Sequence, residues 1–349
     1  MACLLCPLFL GYPLLICFKL LSAHEKEISE QLVGFGLTEG RDFISYKDYC
    51  RRDIPLELVQ QTIRDSLIGE DNGELTVKVY GKSQYEEIVK KYKMYEKFEK
   101  ALGSLYRKLP GRMGGYVGQC AACRKTQTFV VDYVWSKGLQ PAWRETVTCP
   151  ECNCNSRMRF VIDYMKKIEK DKTVFVYEAV TNMYRELKKG ISYIQGSEYL
   201  GEEFCSGQIV NGIMHQDALA LGFPDESFDY MVSSDVLEHV ADFRLALRES
   251  WRCLKSEGHL LISIPIFKDR EKTLLRTRKD RKGELEYLLP PVYHGNPLSA
   301  EGSLVFTEFG WDILEELKKA GFREAYAIVY FSVEKGYFGN FPVIFEAVK

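Results

Sequence analysis

Two groups of residues in this chain have types and spacings suited to chemistry. The first is Cys120-Ala-Ala-Cys123 and Cys149-Pro-Glu-Cys152, with 25 residues between the pairs. A two-residue gap lets one tight turn present two sulfurs to one ion, and two such turns complete a tetrahedral thiolate set for Zn²⁺. Asn153 suits the left-handed backbone such a turn demands, and Cys154 is a spare that can replace Cys152. All-cysteine ligation leaves no open position, so the expected role is support of folding. Buried thiols without a metal, or a redox pair, are the competing readings.

The second group is a succession of acids that end apolar runs. Thr173-Val-Phe-Val-Tyr leads to Glu178, Ile191-Ser-Tyr-Ile-Gln-Gly-Ser to Glu198, and Ile213-Met-His-Gln to Asp217. Open α/β sheets bind ligands outside the carboxyl ends of their strands, which places Glu178 at a crevice. An acid about 20 residues further on, here Glu198, typically accepts from the ribose hydroxyls of a nucleoside. Thr181 and Asn182 can cap the intervening helix. A lone acid at a strand end is usually a helix cap, whereas three in this order are specific. A fourth run opens at Phe228-Asp229 and ends at Ser233, Ser234 and Asp235, with His239 one turn later. Imidazole titrates near neutrality, so His239 is a candidate base for a hydroxyl proton, with Asp235 beside it and His294 as the rival base. The plainer reading is that Glu238-His239 packs or caps a helix.

The elements needed to position these residues follow from periodicity. Asn155 to Lys170 reads as an amphipathic helix, His259 to Pro265 as a fifth strand, and Thr307 to Ala320 as a helix stopped by Gly321. Ala325 to Val333 and Phe341 to Val348 read as two last strands. After the fifth strand, Ile266 to Leu304 forms a basic insertion carrying Lys268, Arg270, Lys272, Arg276, Arg278, Lys279, Arg281 and Lys282. Such a loop is either a solvated face or a cover for an anionic substrate. Ahead of the cysteine pairs come a strand at Leu75 to Tyr80, a charged helix from Gln84 to Arg107, and a break at Leu109 to Gly115. Thr128 to Trp135 and Arg144 to Thr148 are the strand candidates around the pairs. The expected segments are an N-terminal α/β segment, read as an incomplete domain, at 1–74; a strand and charged linker helix at 75–112; a zinc-ribbon-like module at 113–156; and the main α/β domain at 157–349.

Cys3 to Leu21 is apolar but broken by Pro7, Pro13 and Lys19. It reads as a buried strand and its neighbours, with membrane contact through residues 1–22 or a cleaved signal as alternatives. The prolines weigh against a span, and the lack of a basic residue before Lys19 weighs against a signal. Leu14 to Phe18, the Glu25 to Leu32 helix and Asp42 to Ser45 complete the segment, which has no glycine-rich phosphate loop. A net charge of −2 gives no overall pull toward nucleic acid or anionic lipid. Eleven cysteines are too sparse for a disulfide scaffold, and two CxxC pairs favour metal in a reducing, cytoplasmic setting.

The run Asp217-Ala218, Phe223 to Asp229, Ser233 to Val240, Leu254 to Gly258 and Leu260 to Pro265 resembles the second half of a class I S-adenosylmethionine-dependent methyltransferase, type 11-like. The shared pattern extends over roughly Asn155 to Lys349. It implies an α/β fold with a doubly wound, mostly parallel, seven-stranded Rossmann-like sheet whose last strand inserts antiparallel. It also implies S-adenosylmethionine as cofactor, with Asp217 accepting from the adenine amino group, Ala218 beside it, and Ser233 near the transferable methyl. Where the family has glycines after the first acid, this chain has Ala179, Val180, Thr181 and Asn182. Side chains there push the cofactor away unless the loop takes another path. The Trp143-Arg-Glu145, Asn155-Ser-Arg157, Ser197 to Gly201, Tyr293-His-Gly295 and Phe309-Gly-Trp311 stretches are similar to methyltransferase-domain proteins of polysaccharide and glycan clusters. That similarity implies O-methylation of a sugar, a glycan precursor or another small hydroxylated acceptor. Two alternatives stand beside it: a degenerate domain acting as an interaction scaffold, and an RNA methyltransferase, against which the charge and lack of aromatic repeats argue.

Overall fold

The computed structural model of the chain describes residues 56–106, 114–136, 138–168, 171–280, 282–296 and 298–349. The readings made for Cys3 to Ser45, including membrane contact through residues 1–22, lie outside the described residues. No helix among the described residues is long and apolar enough to cross a membrane.

The chain divides into two compact units. One joins Tyr92–Arg157 and Phe331–Asn340 to the stretch that ends at Glu74. Its helices are Leu56–Leu67 and Lys93–Tyr106, and its hairpin pairs Gly114–Cys120 with Lys125–Val131 from Gly114↔Val131 to Cys120↔Lys125. Phe98, Tyr106, Phe129 and Phe338 are buried between them. The Gln60 amide donates to Tyr106 Oη at 3.1 Å and to the Gly115 carbonyl at 2.9 Å, tying the first helix to the hairpin. The hairpin therefore starts earlier than the Thr128 to Trp135 reading. Asp132 ends it by accepting from the Val134 amide at 3.0 Å, a local turn that competes with the ladder. Arg144 to Thr148 contributes only a bridge, Val130↔Thr148.

The other unit joins Leu75–Lys91, Met158–Tyr330 and Phe341–Lys349. Its sheet has seven strands: β1 Glu74–Val79, β2 Thr173–Val176, β3 Tyr193–Gly196, β4 Phe228–Ser234, β5 Leu254–Ser263, β6 Glu324–Ser332 and β7 Val343–Val348. The order across the sheet is β1-β6-β7-β5-β4-β2-β3. Strands β3, β2, β4 and β5 run parallel, and β7 is antiparallel to both β5 and β6. This is the mostly parallel, doubly wound sheet with an inserted antiparallel strand that the sequence predicts. The helix Phe243–Cys253 buries Phe243, Ala246, Leu247 and Cys253, and Asp242 caps it through the amides of Arg244 and Leu245, both at 3.1 Å.

Two strands differ from expectation. Ile213 to Asp217 does not add a full strand beside β3. Asn211 and Gly212, with φ of 51° and 81°, make the turn of a short hairpin between Ile209–Val210 and Ile213–Met214. Only a parallel bridge, Glu198↔His215, remains of the expected pairing. The seventh strand instead comes from the Leu75 to Tyr80 run, at the opposite edge. The helix expected over Thr307 to Ala320 starts at Ile313, because Thr307–Glu308 pairs with Leu274–Leu275. Phe309, Ile313, Leu314 and Leu317 are buried as the periodicity predicts.

At the amino ends of the strands Asp229 is saturated. Its Oδ2 accepts from Thr173 N at 2.8 Å, Thr173 Oγ1 at 2.6 Å and Lys255 Nζ at 2.8 Å. Burial alone would raise this carboxyl, but the bonds from Lys255 and Thr173 outweigh it and hold the pKa at about 2. On β7 the buried Glu346 is equally well supplied, by Tyr164 Oη and Tyr326 Oη at 2.6 Å and His259 Nδ1 at 2.7 Å.

Candidate active site

The carboxyl ends of β2, β3 and β4 gather most of the acids singled out from the sequence. Glu178 follows β2 and is buried, and the Thr181 hydroxyl donates to its Oε1 at 3.2 Å. Thr181 also caps the Asn182–Lys188 helix, accepting from Tyr184 N at 3.2 Å. Glu198, two residues past β3, accepts from the amides of Ala179 at 2.7 Å and Val180 at 2.9 Å, both through Oε1. The segment that carries side chains in place of glycines is thus held by the acid on the neighbouring strand. Burial raises the Glu198 pKa, and the two amides oppose that shift. Asp217 accepts from Leu219 N at 2.8 Å in a local turn, with the buried Ala218 between them. Ser233, next to last in β4, is 1% exposed, and its Oγ has no hydrogen-bond partner among the described residues. A buried hydroxyl left this way costs about 1–3 kcal/mol, a cost that a polar ligand group would remove.

Beyond β4, Asp235 takes φ 54°, the left-handed conformation that Asp tolerates better than most residues, while its amide donates to Ser263 O at 2.7 Å. The turn leads into the 3₁₀ segment Leu237–His239. The hairpin Tyr293–Asn296 with Ser299–Leu304, part of the basic insertion, is joined to this segment twice. The Phe306 amide donates to the Glu238 carbonyl at 2.8 Å, and His239 Nδ1 lies 2.8 Å from the Leu304 carbonyl. A carbonyl only accepts, so Nδ1 carries the proton and Nε2 presents a lone pair. Gly302, at φ 80°, lets the hairpin close: a Cβ there would sit 2.4 Å from the His294 carbonyl.

The result is a cluster that brings both candidate bases together. Glu238 Oε1 is 3.7 Å from His239 Nε2 and 3.9 Å from His294 Nδ1, and the two imidazole rings meet edge to face at 5.1 Å. Burial lowers the His239 pKa; the Leu304 bond opposes this and the neighbouring His294 adds to it. The sequence pattern alone assigns Glu238 no chemical role. A carboxylate inside the apolar Val236-Leu237…Val240 run was the available signal, since a buried acid needs a partner.

The cations of the insertion are largely paired within it or with adjacent acids. Arg270 and Arg276 both reach Glu308, Arg278 meets Glu286 at 2.7 Å, and Lys279 meets Glu202 at 2.5 Å.

In the other unit the four predicted cysteines converge, with Sγ–Sγ distances of 3.8 Å for Cys120–Cys152 and for Cys123–Cys149, and all four sulfurs within 4.8 Å of one another. Four ligands at about 2.3 Å from a tetrahedral centre would stand about 3.8 Å apart. Both turns have the same form: Arg124 N donates to Cys120 O at 2.7 Å and Asn153 N to Cys149 O at 2.9 Å, with φ of 58° and 54° at Arg124 and Asn153. Cys154 is buried outside the four. Burial and the adjacent Cys120 push the Cys123 thiol up to about 12, so the charge of a bound cation is what would draw thiolates from this set.

Residues 190–262 match the family described as Methyltransferase domain. The span includes Glu198, Asp217, Ser233, Asp235 and His239. Demethylmenaquinone methyltransferase of Staphylococcus aureus is 32% identical over 85 residues, 23% of this chain and 35% of that protein. The chain thus spans about a third of the length of the curated relatives it matches. Among solved structures, an S-adenosylmethionine-dependent methyltransferase from Mesorhizobium loti aligns with 57% of this chain and 100% of its own at 16% identity and TM-score 0.35. A putative one from Listeria monocytogenes aligns with 55% and 97% at 15% identity and TM-score 0.35. The strand order gives this unit the doubly wound α/β sheet of the class I methyltransferase fold, and residues 190–262 within it match the methyltransferase-domain family.

Proposed function

We propose that the chain is an S-adenosylmethionine-dependent O-methyltransferase acting on a small hydroxylated acceptor, with a sugar or glycan precursor as the first class to try. The observation that carries this reading is the set of polar groups at the carboxyl ends of β2, β3 and β4. The residues suit the cofactor: Glu198 keeps Oε2 for the ribose hydroxyls while Oε1 braces the Ala179-Val180 segment, and Ser233 Oγ is a buried polar atom that needs a partner. Glu178 and Thr181 flank that segment, and Asp217 with Ala218 serves the adenine edge. When bound, the cofactor supplies a methyl group on a sulfonium. Transfer to a hydroxyl forms a C–O bond, breaks the C–S bond with its pair going to sulfur, and releases the hydroxyl proton. Glu238, His239 and His294 cluster beyond the carboxyl end of β4, with Asp235 at the turn before Glu238 and His239, and would manage that charge. Positioning of the oxygen in line with the methyl carries much of the rate. The paired cations of the insertion mean that the reading does not depend on an anionic acceptor.

In the other unit we assign the four cysteines to a structural zinc ion. Metal analysis of the purified chain would give one zinc, lost in Cys149→Ser together with the fold of that unit; a chain that holds no zinc ends the assignment. The acceptor is tested by incubating the chain and methyl-labelled cofactor with small-molecule and glycan extracts, then finding the labelled product by mass spectrometry. Label on an oxygen of a carbohydrate supports the reading, whereas label on nitrogen or carbon, or on RNA, replaces it. One observation favours a second reading: Glu198 is already bonded to the Ala179-Val180 segment, as it would be in a scaffold that does not turn over. Binding without methyl transfer to any extract component would favour that scaffold.

A further inference from the structure

We infer that Glu238, His239 and His294 form a binding site for a divalent transition-metal ion, separate from the four-cysteine set. Their donor atoms, a carboxylate oxygen, Nε2 and Nδ1, all lie within 4.8 Å of one another. The Leu304 carbonyl accepts a hydrogen bond from His239 Nδ1–H, so Nε2 carries a lone pair, 3.7 Å from the Glu238 carboxylate. A lone pair on an imidazole nitrogen and a carboxylate oxygen are both donors that a divalent cation takes up. The distances of 3.7 and 3.9 Å are too long for direct hydrogen bonds and close to the about 3.4 Å expected between ligands held about 2.1 Å from a shared ion.

The supporting contacts fit as well. A histidine ligand commonly donates its other ring N–H to a backbone carbonyl, which fixes its tautomer and orientation, and His239 does this to Leu304. The ligands come from two elements, the 3₁₀ segment and the insertion hairpin, which the Phe306–Glu238 backbone bond holds together. The His294 side chain is 38% exposed, which gives an ion a path in from solvent. Two imidazoles and one carboxylate suit zinc, iron, cobalt or manganese and leave coordination positions open, unlike the closed cysteine set. The role of the site rests on the methyltransferase reading, although the binding does not. At an open position the acceptor oxygen would displace water and be fixed near the carboxyl end of β4. The ion would lower the pKa of that hydroxyl, whose proton leaves to solvent. A metal-bound Nε2 cannot also serve as a base, so this assignment replaces the one of His239 as proton acceptor.

The test is titration of the full chain, its cysteine set loaded with zinc, with Co²⁺ followed by visible absorption. We expect one further ion per chain, with weak d–d bands and no thiolate charge-transfer band. We expect this absorption to be lost in His294→Ala, which alters only a half-exposed side chain, and in Glu238→Gln. Binding of S-adenosylhomocysteine to His294→Ala, measured in parallel, should be unchanged. Absence of cobalt bands in the wild type, or bands that persist in both variants, overturns the site. Cobalt binding that depends on His294 in a chain that does not bind S-adenosylhomocysteine would keep the site and reject the methyltransferase reading.

Discussion

The two ends of the same parallel strands treat their carboxylates in opposite ways. At the amino ends, one oxygen of Asp229 receives three donors from β2 and β5, and its pKa is held at about 2. At the carboxyl ends, Glu198 is raised by burial with one oxygen engaged, and Ser233 Oγ has no hydrogen-bond partner among the described residues. Groups that only hold a fold are satisfied within it. Groups kept at a cost, in one place, point to something that arrives later.

Substitutions at the two ends should therefore separate binding from stability. The largest effect is expected for Glu198→Ala, which removes the proposed ribose acceptor. S-adenosylhomocysteine affinity, measured by calorimetry, should fall by about a hundredfold or more, equivalent to about 2.7 kcal/mol. Its thermal stability should change less than that of the next variant. Asp229→Ala should destabilise the unit by on the order of 2 kcal/mol in denaturant unfolding, since charge-assisted bonds are lost, and should leave ligand affinity within twofold. The pH dependence has a definite sign. Because the folded pKa of Asp229 lies below the usual carboxyl value of about 3.9, its contribution is fully present above pH about 4 and is lost as pH falls toward 2. Acid unfolding of Asp229→Ala should accordingly be flatter than that of the wild type over this window. Ser233→Ala should have the smallest effect on folding and the opposite sign: removal of an unpaired buried hydroxyl leaves stability equal or slightly higher, while ligand affinity drops several-fold. If Asp229→Ala loses the ligand and Glu198→Ala only unfolds, the contrast between the two ends is wrong.

Much of this arrangement was legible from the residue pattern. The four cysteines, the strand-ending acids Glu178 and Glu198, and the antiparallel last strand all follow from spacing, periodicity or the family resemblance. The strand expected to end at Asp217 does not form because the Asn211-Gly212 turn outweighs the apolar Ile213-Met214 pair. The seventh strand was legible as a strand at Leu75 to Tyr80, but its place at the far edge depends on a non-local pairing that no local pattern records. The Glu238–His239–His294 cluster was hidden for the same reason. His294 lies 55 residues after His239 and reaches it only because Gly302 lets one hairpin close and the Leu304 carbonyl orients the ring. The two histidines are rival bases in the sequence, whereas the fold makes them neighbours.

The central claim is that the carboxyl ends of β2, β3 and β4 hold a nucleoside cofactor. Calorimetric titration of the full chain with S-adenosylhomocysteine tests it most directly. Saturable binding at one site per chain is expected, lost in Glu198→Ala and kept in Asp229→Ala. No heat of binding to the wild type at millimolar ligand, with the chain folded, would contradict it.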